Sequence, residues 1–425
     1  MVIKTSKGAI ISGNGSTKDD LIPTIIFLET SKSGSARDAL RAAHRLGYNV
    51  VVLTRRNRDS SKYPEVNQMI QVQDFSLNSL SKQIMALKKQ GRQLKAILSF
   101  VEPYVYLAAS LAESQGLNLL SSEAMMKMED KILTRNTLEN TTYNPYYAII
   151  NDRTQLPEFV EEHANMVPLV LKSPKASGSG GVLLAEDAGQ LQIYANHLFN
   201  RYPGHPILVE EYLAGQQYLV EVLVYNDQVN IVAVIEQEIT FHQRFIVTGY
   251  LVLANSSGSL FDELGIVVSS IMKEFGMSMG ACHLELRLVG NEWKLIEANP
   301  RISGGAMNQM IKTNCGINLV KETVRLALGE VPNVQKQYSR YVFTQYLTVS
   351  SSGVLKLVTG RNRASRHPGV TDVYIKYIRG SHIGPPSSMG KRCGYVIATG
   401  ETPEEAKQQA KAAASQIRFH LASPE

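Results

Sequence analysis

Polar and apolar residues alternate from Ala281 to Val289. Cys282, Leu284, Leu286 and Leu288 fall on one side, His283, Glu285 and Arg287 on the other. A two-residue period predicts a strand with one buried face. A second strand is predicted from Glu292 to Ala298, and Gly290-Asn291 between them has hairpin-turn chemistry. Pairing these strands places Glu285 near Glu297 and Asn299 on one face. Other segments are almost wholly apolar, namely Leu21 to Leu28, Asn49 to Leu53 and Ala96 to Phe100. Such runs suit strands of a parallel sheet, buried on both faces. Between the first two, Ala36, Ala39, Leu40 and Ala43 recur at helical spacing, with Arg37, Arg41 and Arg45 as the solvated face and Gly47 as a C-cap. The pattern is the opening of a doubly wound α/β domain.

The remaining pattern divides the chain. Residues 1–20 read as an arm, 21–124 as the N-terminal α/β domain, and 125–209 as linker helices and a small α/β lobe. A further lobe spans 210–330, and an α+β unit 331–425. Helices are predicted over Tyr104 to Ser114, around Asp130, Lys131 and Arg135, over Leu260 to Phe275, and as a cover from Met310 to Gly329. Two strands flank Asn226-Asp227. The polar stretch Glu236 to Gly249 reads as a loop facing a second substrate. Near the end, strands are predicted at Tyr338 to Val349, Gly353 to Val358 and Tyr395 to Gly400. Thr402 and Pro403 then start a helix. This last unit reads as separate.

Composition narrows the function. The chain has 425 residues, 44% hydrophobic and 19% charged, with a net charge of +6. The charge is spread out, without a basic block interleaved with aromatics, which argues against nucleic acid. No apolar run approaches the roughly 20 residues of a membrane span, and the N-terminus lacks a secretory core. Three cysteines without metal spacing fit a reducing, cytoplasmic setting. Small molecules are the expected partners.

Candidate chemistry gathers at the hairpin. Glu285, Glu297 and Asn299 are the oxygen donors that a hard cation takes when it also holds phosphates. Arg301 and the Ser303-Gly304-Gly305 turn offer a guanidinium fork and open N–H groups to an anion. Upstream, Lys172 precedes a Ser/Gly-rich loop with Ser177, Gly178, Ser179, Gly180 and Gly181, a phosphate cradle in physical terms but not a P-loop. Glu102 lies just past a strand's C-terminal end, where open α/β sheets bind ligands.

The E-x-R strand followed by E-x-N-P-R resembles the metal-binding hairpin of the ATP-grasp superfamily, the ATP-dependent carboxylate–amine or carboxylate–thiol ligases. The resemblance runs from about Leu21 to the end and rests on the order of the motifs. It implies an α/β ATP-grasp fold, with Lys131 on the α-phosphate of ATP. Lys172 and the Ser177–Gly181 loop would close over the nucleotide. Glu210 and the backbone after it would take adenine, with Glu211, Tyr212 and Leu213 completing that hinge. Gln217, or alternatively Glu221, would meet the ribose. Glu285, Glu297 and Asn299 would hold one or two Mg²⁺, with Mn²⁺ as a substitute. Arg301 would stabilise the transferring phosphoryl with N–H groups of Gly304 and Gly305, and His283 would assist or support. Glu102, His242, Arg244, Thr248 and Gly249 would face the second substrate. Within the superfamily the chain is similar to bacterial L-amino-acid ligases, which implies a dipeptide product, an acyl-phosphate intermediate and a homodimer. A carboxylase or purine-biosynthetic ligase is the alternative. A non-catalytic nucleotide-binding regulator is the alternative of another class.

Overall fold

The computed structural model describes residues 21–117, 119–174, 181–241, 245–254 and 258–422. The apolar runs form a four-stranded parallel sheet. Its order is Gln68–Gln71, Asn49–Thr54, Ile22–Leu28, Arg92–Leu98. Ile25, Ile26, Phe27 and Leu28 are all buried, because helices cover both faces of this sheet. Arg37, expected on a solvated face, is instead buried. Its Nε lies 2.7 Å from Glu65 and its guanidinium stacks over Tyr63. Ala36, Ala39, Leu40 and Ala43 are buried as expected, and only the packing of Tyr63 and Glu65 against the helix start decides that Arg37 is covered too.

The small lobe is an antiparallel sheet, ordered Tyr147–Ile150, Ile207–Glu211, Leu169–Lys172, Val182–Ala185. Helices Leu156–His163 and Ala188–Arg201 close one face over Ile150, Leu169, Leu171 and Val209. The other face is left to the site.

The largest sheet has eight antiparallel strands. Glu292–Asn299 and Gly280–Val289 form one edge, followed by Gln216–Tyr225, Gln228–Phe241, Phe245–Val252, Tyr341–Leu347, Gly394–Gly400 and Val370–Ile375. Helix Ser259–Phe275 packs Leu264, Val268 and Ile271 onto one face together with Cys282 and Leu284. Two expectations change here. The described part of Glu236 to Gly249, expected as a loop facing the second substrate, is strand. Gln228–Phe241 and Phe245–Val252 pair through it, with a register shift at Glu238/Ile239. The polar side chains had masked a strand with neighbours on both sides. The C-terminal strands also do not stand apart, since Tyr341–Leu347 pairs directly with Phe245–Val252. The predicted cover is two helices, Met307–Cys315 and Leu319–Ala327, meeting at Gly316. They join the parallel sheet and the large sheet in one core through Ile25, Leu40, Leu223, Met310 and Val324.

Candidate active site

The hairpin pairs as its pattern predicts, with Glu285 opposite Glu297 and His283 opposite Asn299. Those four side chains line a cavity of about 220 Å³ between the large sheet and the small lobe. Glu102, Lys131, Lys172, Glu210, Glu211, Tyr212, Leu213, Gln217 and Arg301 line it too. A second cavity of about 440 Å³ adjoins it, sharing His283, Glu285 and Arg301 and adding Gly304 and Gly305. Residues spread over two hundred positions thus converge at one junction.

Charge pairing orders the walls. Asp130 caps the helix Lys131–Thr137 by accepting from the N–H groups of Ile132 and Leu133 at 2.9 and 3.1 Å. The cap aims Lys131 at Glu297, with Nζ to Oε1 at 2.9 Å. Burial works against the Lys131 charge, but Glu297 more than offsets it and raises its pKa. Burial likewise penalises the Glu297 carboxylate, and Lys131 with Lys172 overcomes that and holds it low. Burial and the Glu297 charge push Glu285 up. Two carboxylates facing each other cannot both ionise cheaply without a cation between them. Among the described residues no group of three or more His, Cys, Asp or Glu gathers as a metal cage. The donor set is instead two carboxylates and one amide. That set fits Mg²⁺, which keeps water and uses substrate phosphates to complete its shell.

Glu210, expected near adenine, lines the cavity and meets two cations. Its Oε1 lies 2.5 Å from Arg135 Nε and its Oε2 lies 2.5 Å from Lys172 Nζ. Burial would raise its pKa, yet the two cations hold it below the usual carboxylate range. Each oxygen meets a cation, so the carboxylate anchors Lys172 from the small lobe. Glu211 accepts from Tyr146 N–H at 2.8 Å. Tyr212 stacks at 6.3 Å on Phe245 beside the cavity.

Gln217 lines the cavity, donating to Glu285 at 2.8 Å and accepting from Arg287 Nε at 3.0 Å. Its alternative, Glu221, does not reach either cavity. It is wholly buried and accepts from Ser303 N–H at 3.0 and 3.3 Å, holding the glycine turn from beneath. Burial raises its pKa to about 7. His283 Nδ1 sits 2.7 Å from the Arg301 carbonyl. Burial first, then the Arg301 charge, lowers its pKa to about 3, so the imidazole is neutral. A neutral ring beside that carbonyl donates from Nδ1 and keeps Nε2 as an acceptor. Arg301 pairs with Glu102, while its Nε is buried with no hydrogen-bond partner among the described residues. A buried unmatched donor at a cavity wall suits an anionic ligand.

Thr248 and Gly249 do not line either cavity. After the register shift, Val247 and Tyr250 face it instead. Gly249 is a packing glycine, because a Cβ there would meet the Phe343 ring at 2.5 Å. Ser177, Gly178, Ser179, Gly180, His242 and Arg244 lie outside the described residues. Gly181 lies next to Val182, which lines the first cavity.

Several lining residues carry no motif. Arg135, named with Lys131 in the predicted helix, lines neither cavity but lies four residues on, on the same helical face, where it holds Glu210. Tyr346, Tyr374 and Tyr395 on strands, and Arg392 on the turn before the last of these, line the second cavity from over a hundred residues beyond Arg244, and no local pattern marks them.

This architecture is the ATP-grasp fold. Three family models match in order along the chain. An ATP-grasp N-terminal domain covers residues 40–119, an ATP-grasp domain 165–309, and an L-amino acid ligase C-terminal domain 2 covers 345–422. The chain is thus similar to ATP-grasp domains within its first three quarters and to the C-terminal domain 2 of L-amino acid ligases at its end. It is 29% identical over 236 residues to the uncharacterized protein y4rH of Sinorhizobium fredii, covering 55% of this chain and 48% of that one. The chain therefore spans about half the length of that relative. It is 24% identical to dapdiamide A synthase of Enterobacter agglomerans, over 79% of this chain and 81% of that protein. The crystal structure of an L-amino acid ligase from Bacillus licheniformis shares the fold. Its TM-score is 0.78 at 18% identity, over 95% of this chain and 99% of that one. No described helix is long and apolar enough to cross a membrane.

Proposed function

We propose that this chain joins a carboxylate to an amine, two L-amino acids in the simplest case, using ATP and Mg²⁺ and releasing ADP and phosphate. The observation that carries this reading is the junction of two cavities at His283, Glu285 and Arg301. The first cavity has the lysines and carboxylates of a nucleotide–metal site. The second has room for another molecule.

In this reading the substrate carboxylate oxygen attacks the γ-phosphorus and ADP leaves, giving an acyl phosphate. The amine nitrogen then attacks the acyl carbon, phosphate leaves, and the nitrogen loses a proton. Phosphoryl transfer needs positioning and charge neutralisation above all. Lys131 and Lys172 neutralise nucleotide phosphates, and the Arg135–Glu210 pair fixes where Lys172 points. Glu285, Glu297 and Asn299 would hold Mg²⁺, which supplies further charge neutralisation when bound. Arg301 donates from its unmatched Nε to the transferring group, an interaction of the kind worth about 100- to 1,000-fold in rate. Backbone N–H groups of Gly304 and Gly305 flank the same point. His283 holds the Arg301 backbone in place. The adenine would lie beside Tyr212 and Leu213, with Gln217 near the ribose. Three buried, free cysteines suit the reducing cytoplasm, and a homodimer is the expected assembly.

Phosphate release from Mg²⁺·ATP, with amino acids offered singly and in pairs, tests the reading. Release that requires a pair, with ADP and an amide formed in equal amounts, is the expected result. Release with bicarbonate or an aminoribosyl phosphate alone would move the chain to the carboxylase or purine branch. ATP binding without release under any condition would make it a regulator.

A further inference from the structure

A third cavity, of about 620 Å³, opens at the C-terminal edge of the parallel sheet. Its walls are the loops after three strands. Glu29 to Lys32 follow Ile22–Leu28, Arg55, Arg56 and Arg58 follow Asn49–Thr54, and Val101 to Tyr104 follow Arg92–Leu98. The strand order reverses between Ile22–Leu28 and Arg92–Leu98, since one neighbour of the first strand comes next in sequence and the other comes last. Crevices at such switch points are where open α/β sheets bind ligands.

The charge of this crevice is one-sided. Glu29 is matched by Arg58 at 3.3 Å, and Glu102 is matched from outside by Arg301. Lys32, Arg55 and Arg56 make no ion pair among the described residues. The loop that presents the arginines is built at a cost. Glu29 is buried with φ of 59°, a left-handed conformation that non-glycine residues rarely adopt. In that conformation its Oε1 accepts from Arg55 N–H at 2.6 Å and its Oε2 from the Thr54 hydroxyl at 3.0 Å. Arg58 also donates to the Thr30 carbonyl at 2.5 Å, tying the first loop to the second. The strained glutamate thus sets the chain direction from which Arg55 and Arg56 project.

The crevice is continuous with the reacting centre. Glu102 lines both this cavity and the nucleotide cavity. Ser33 and Gly34, next along the chain from Lys32, line the second cavity. The acid is the substrate that must meet the γ-phosphate, and the crevice touches the cavity on that side.

We propose that this basic crevice binds a second anionic group, carboxylate or phosphate, of the acid substrate, so that the acid joined by this chain is at least dianionic. The proposal rests on the ligase reading for what the bound molecule then does, not for the binding itself. Lys32, Arg55 and Arg56 supply charge-assisted hydrogen bonds to the distal group while the reacting carboxylate lies at Arg301.

The test uses the full chain with saturating Mg²⁺·ADP. Succinate and inorganic phosphate are the binding probes, with succinamate (the monoamide of succinate) as the singly charged control. The variant is Arg55→Gln/Arg56→Gln, whose unchanged ADP affinity serves as the control for folding. Dianion binding is expected to weaken about tenfold or more in the variant, the scale of a lost charged hydrogen bond, and to fall with added salt. The stronger of the two probes tells whether the distal group is carboxylate or phosphate. In parallel, phosphate release is compared for glutamate, O-phosphoserine and glutamine as acids, each with a panel of amino acids as amines. A half-saturating concentration lower for the dianionic acid, and raised in the variant alone, supports the proposal. Arginine-dependent dianion binding without amide formation from any pair would leave the crevice standing and sink the ligase reading. Amide formation that favours neutral acids, with the variant unaffected, would leave the ligase and overturn the crevice. Failure of both probes to bind the wild-type chain would overturn it as well.

Discussion

Replacing Arg135 with methionine removes the group that ties three elements together. Its side chain is 2% exposed. It pairs with Glu210 on the small lobe and donates to the carbonyls of Leu295 at 2.9 Å and Ile296 at 2.8 Å on the hairpin. The methionine fills similar volume without donors. Breaking a buried ion pair from one side costs about 3–5 kcal/mol. Glu210 keeps Lys172, which puts this case at the lower end. Two carbonyls losing donors add about 1 kcal/mol each. These losses share one side chain and do not fully add, so the expected total is about 4 kcal/mol. The only tryptophan, Trp293, lies on the hairpin and packs on Tyr218 at 5.4 Å. Its fluorescence during urea unfolding reports this lobe directly. The double variant Arg135→Met/Glu210→Gln is expected to lose less than the sum of the single variants by about 2 kcal/mol, since the stranded carboxylate is gone. A loss under about 1 kcal/mol for Arg135→Met, or strict additivity in the double variant, would refute the idea that the pair is a buried anchor.

Other expectations follow from the same geometry. Glu297→Ala should lower phosphate release at least about 100-fold, the upper end for lost outer-shell ligands, with the urea midpoint shifted little; normal turnover would end the metal assignment. Glu221 has a native pKa of about 7 against 4.5 when free, so the folded chain binds a proton through that window that the unfolded chain does not. Stability from this group is therefore present at low pH and lost as pH rises through about 7, up to about 3 kcal/mol at about 1.4 kcal/mol per unit. Glu221→Gln should accordingly gain on wild type between pH 5 and pH 8 in urea titrations, and an equal offset at both pH values would contradict the burial argument. Gly215→Ala would drive a Cβ into the Leu288 carbonyl, so the hairpin or the segment after the hinge must shift. A loss of about 1–3 kcal/mol is expected, read from the same fluorescence transition.

Local pattern was enough for the hairpin. Alternation alone put Glu285, Glu297 and Asn299 on one face, because a strand's two-residue period leaves its side chains no choice of side. Runs of buried strand and the Thr402 start signal were legible for the same reason, since each is decided within one turn or one strand. The order of Lys131, Lys172, Glu210 and Arg301 along the chain was likewise enough to suggest a nucleotide site.

What the pattern could not decide was partnership. That Glu210 meets Arg135 depends on a helix seventy-five residues upstream. Whether Glu236–Gly249 is loop or strand depends on what lies on its far side, and Tyr341–Leu347 lies there. A one-residue register shift at Glu238 turned Val247 and Tyr250 toward the cavity and Thr248 and Gly249 away. The C-terminal tyrosines join the site only because an eight-stranded sheet carries them across the molecule. Hydrophobic periodicity encodes which face of an element is buried. It carries no record of which distant element buries it, and that pairing is settled by the packing of the whole chain.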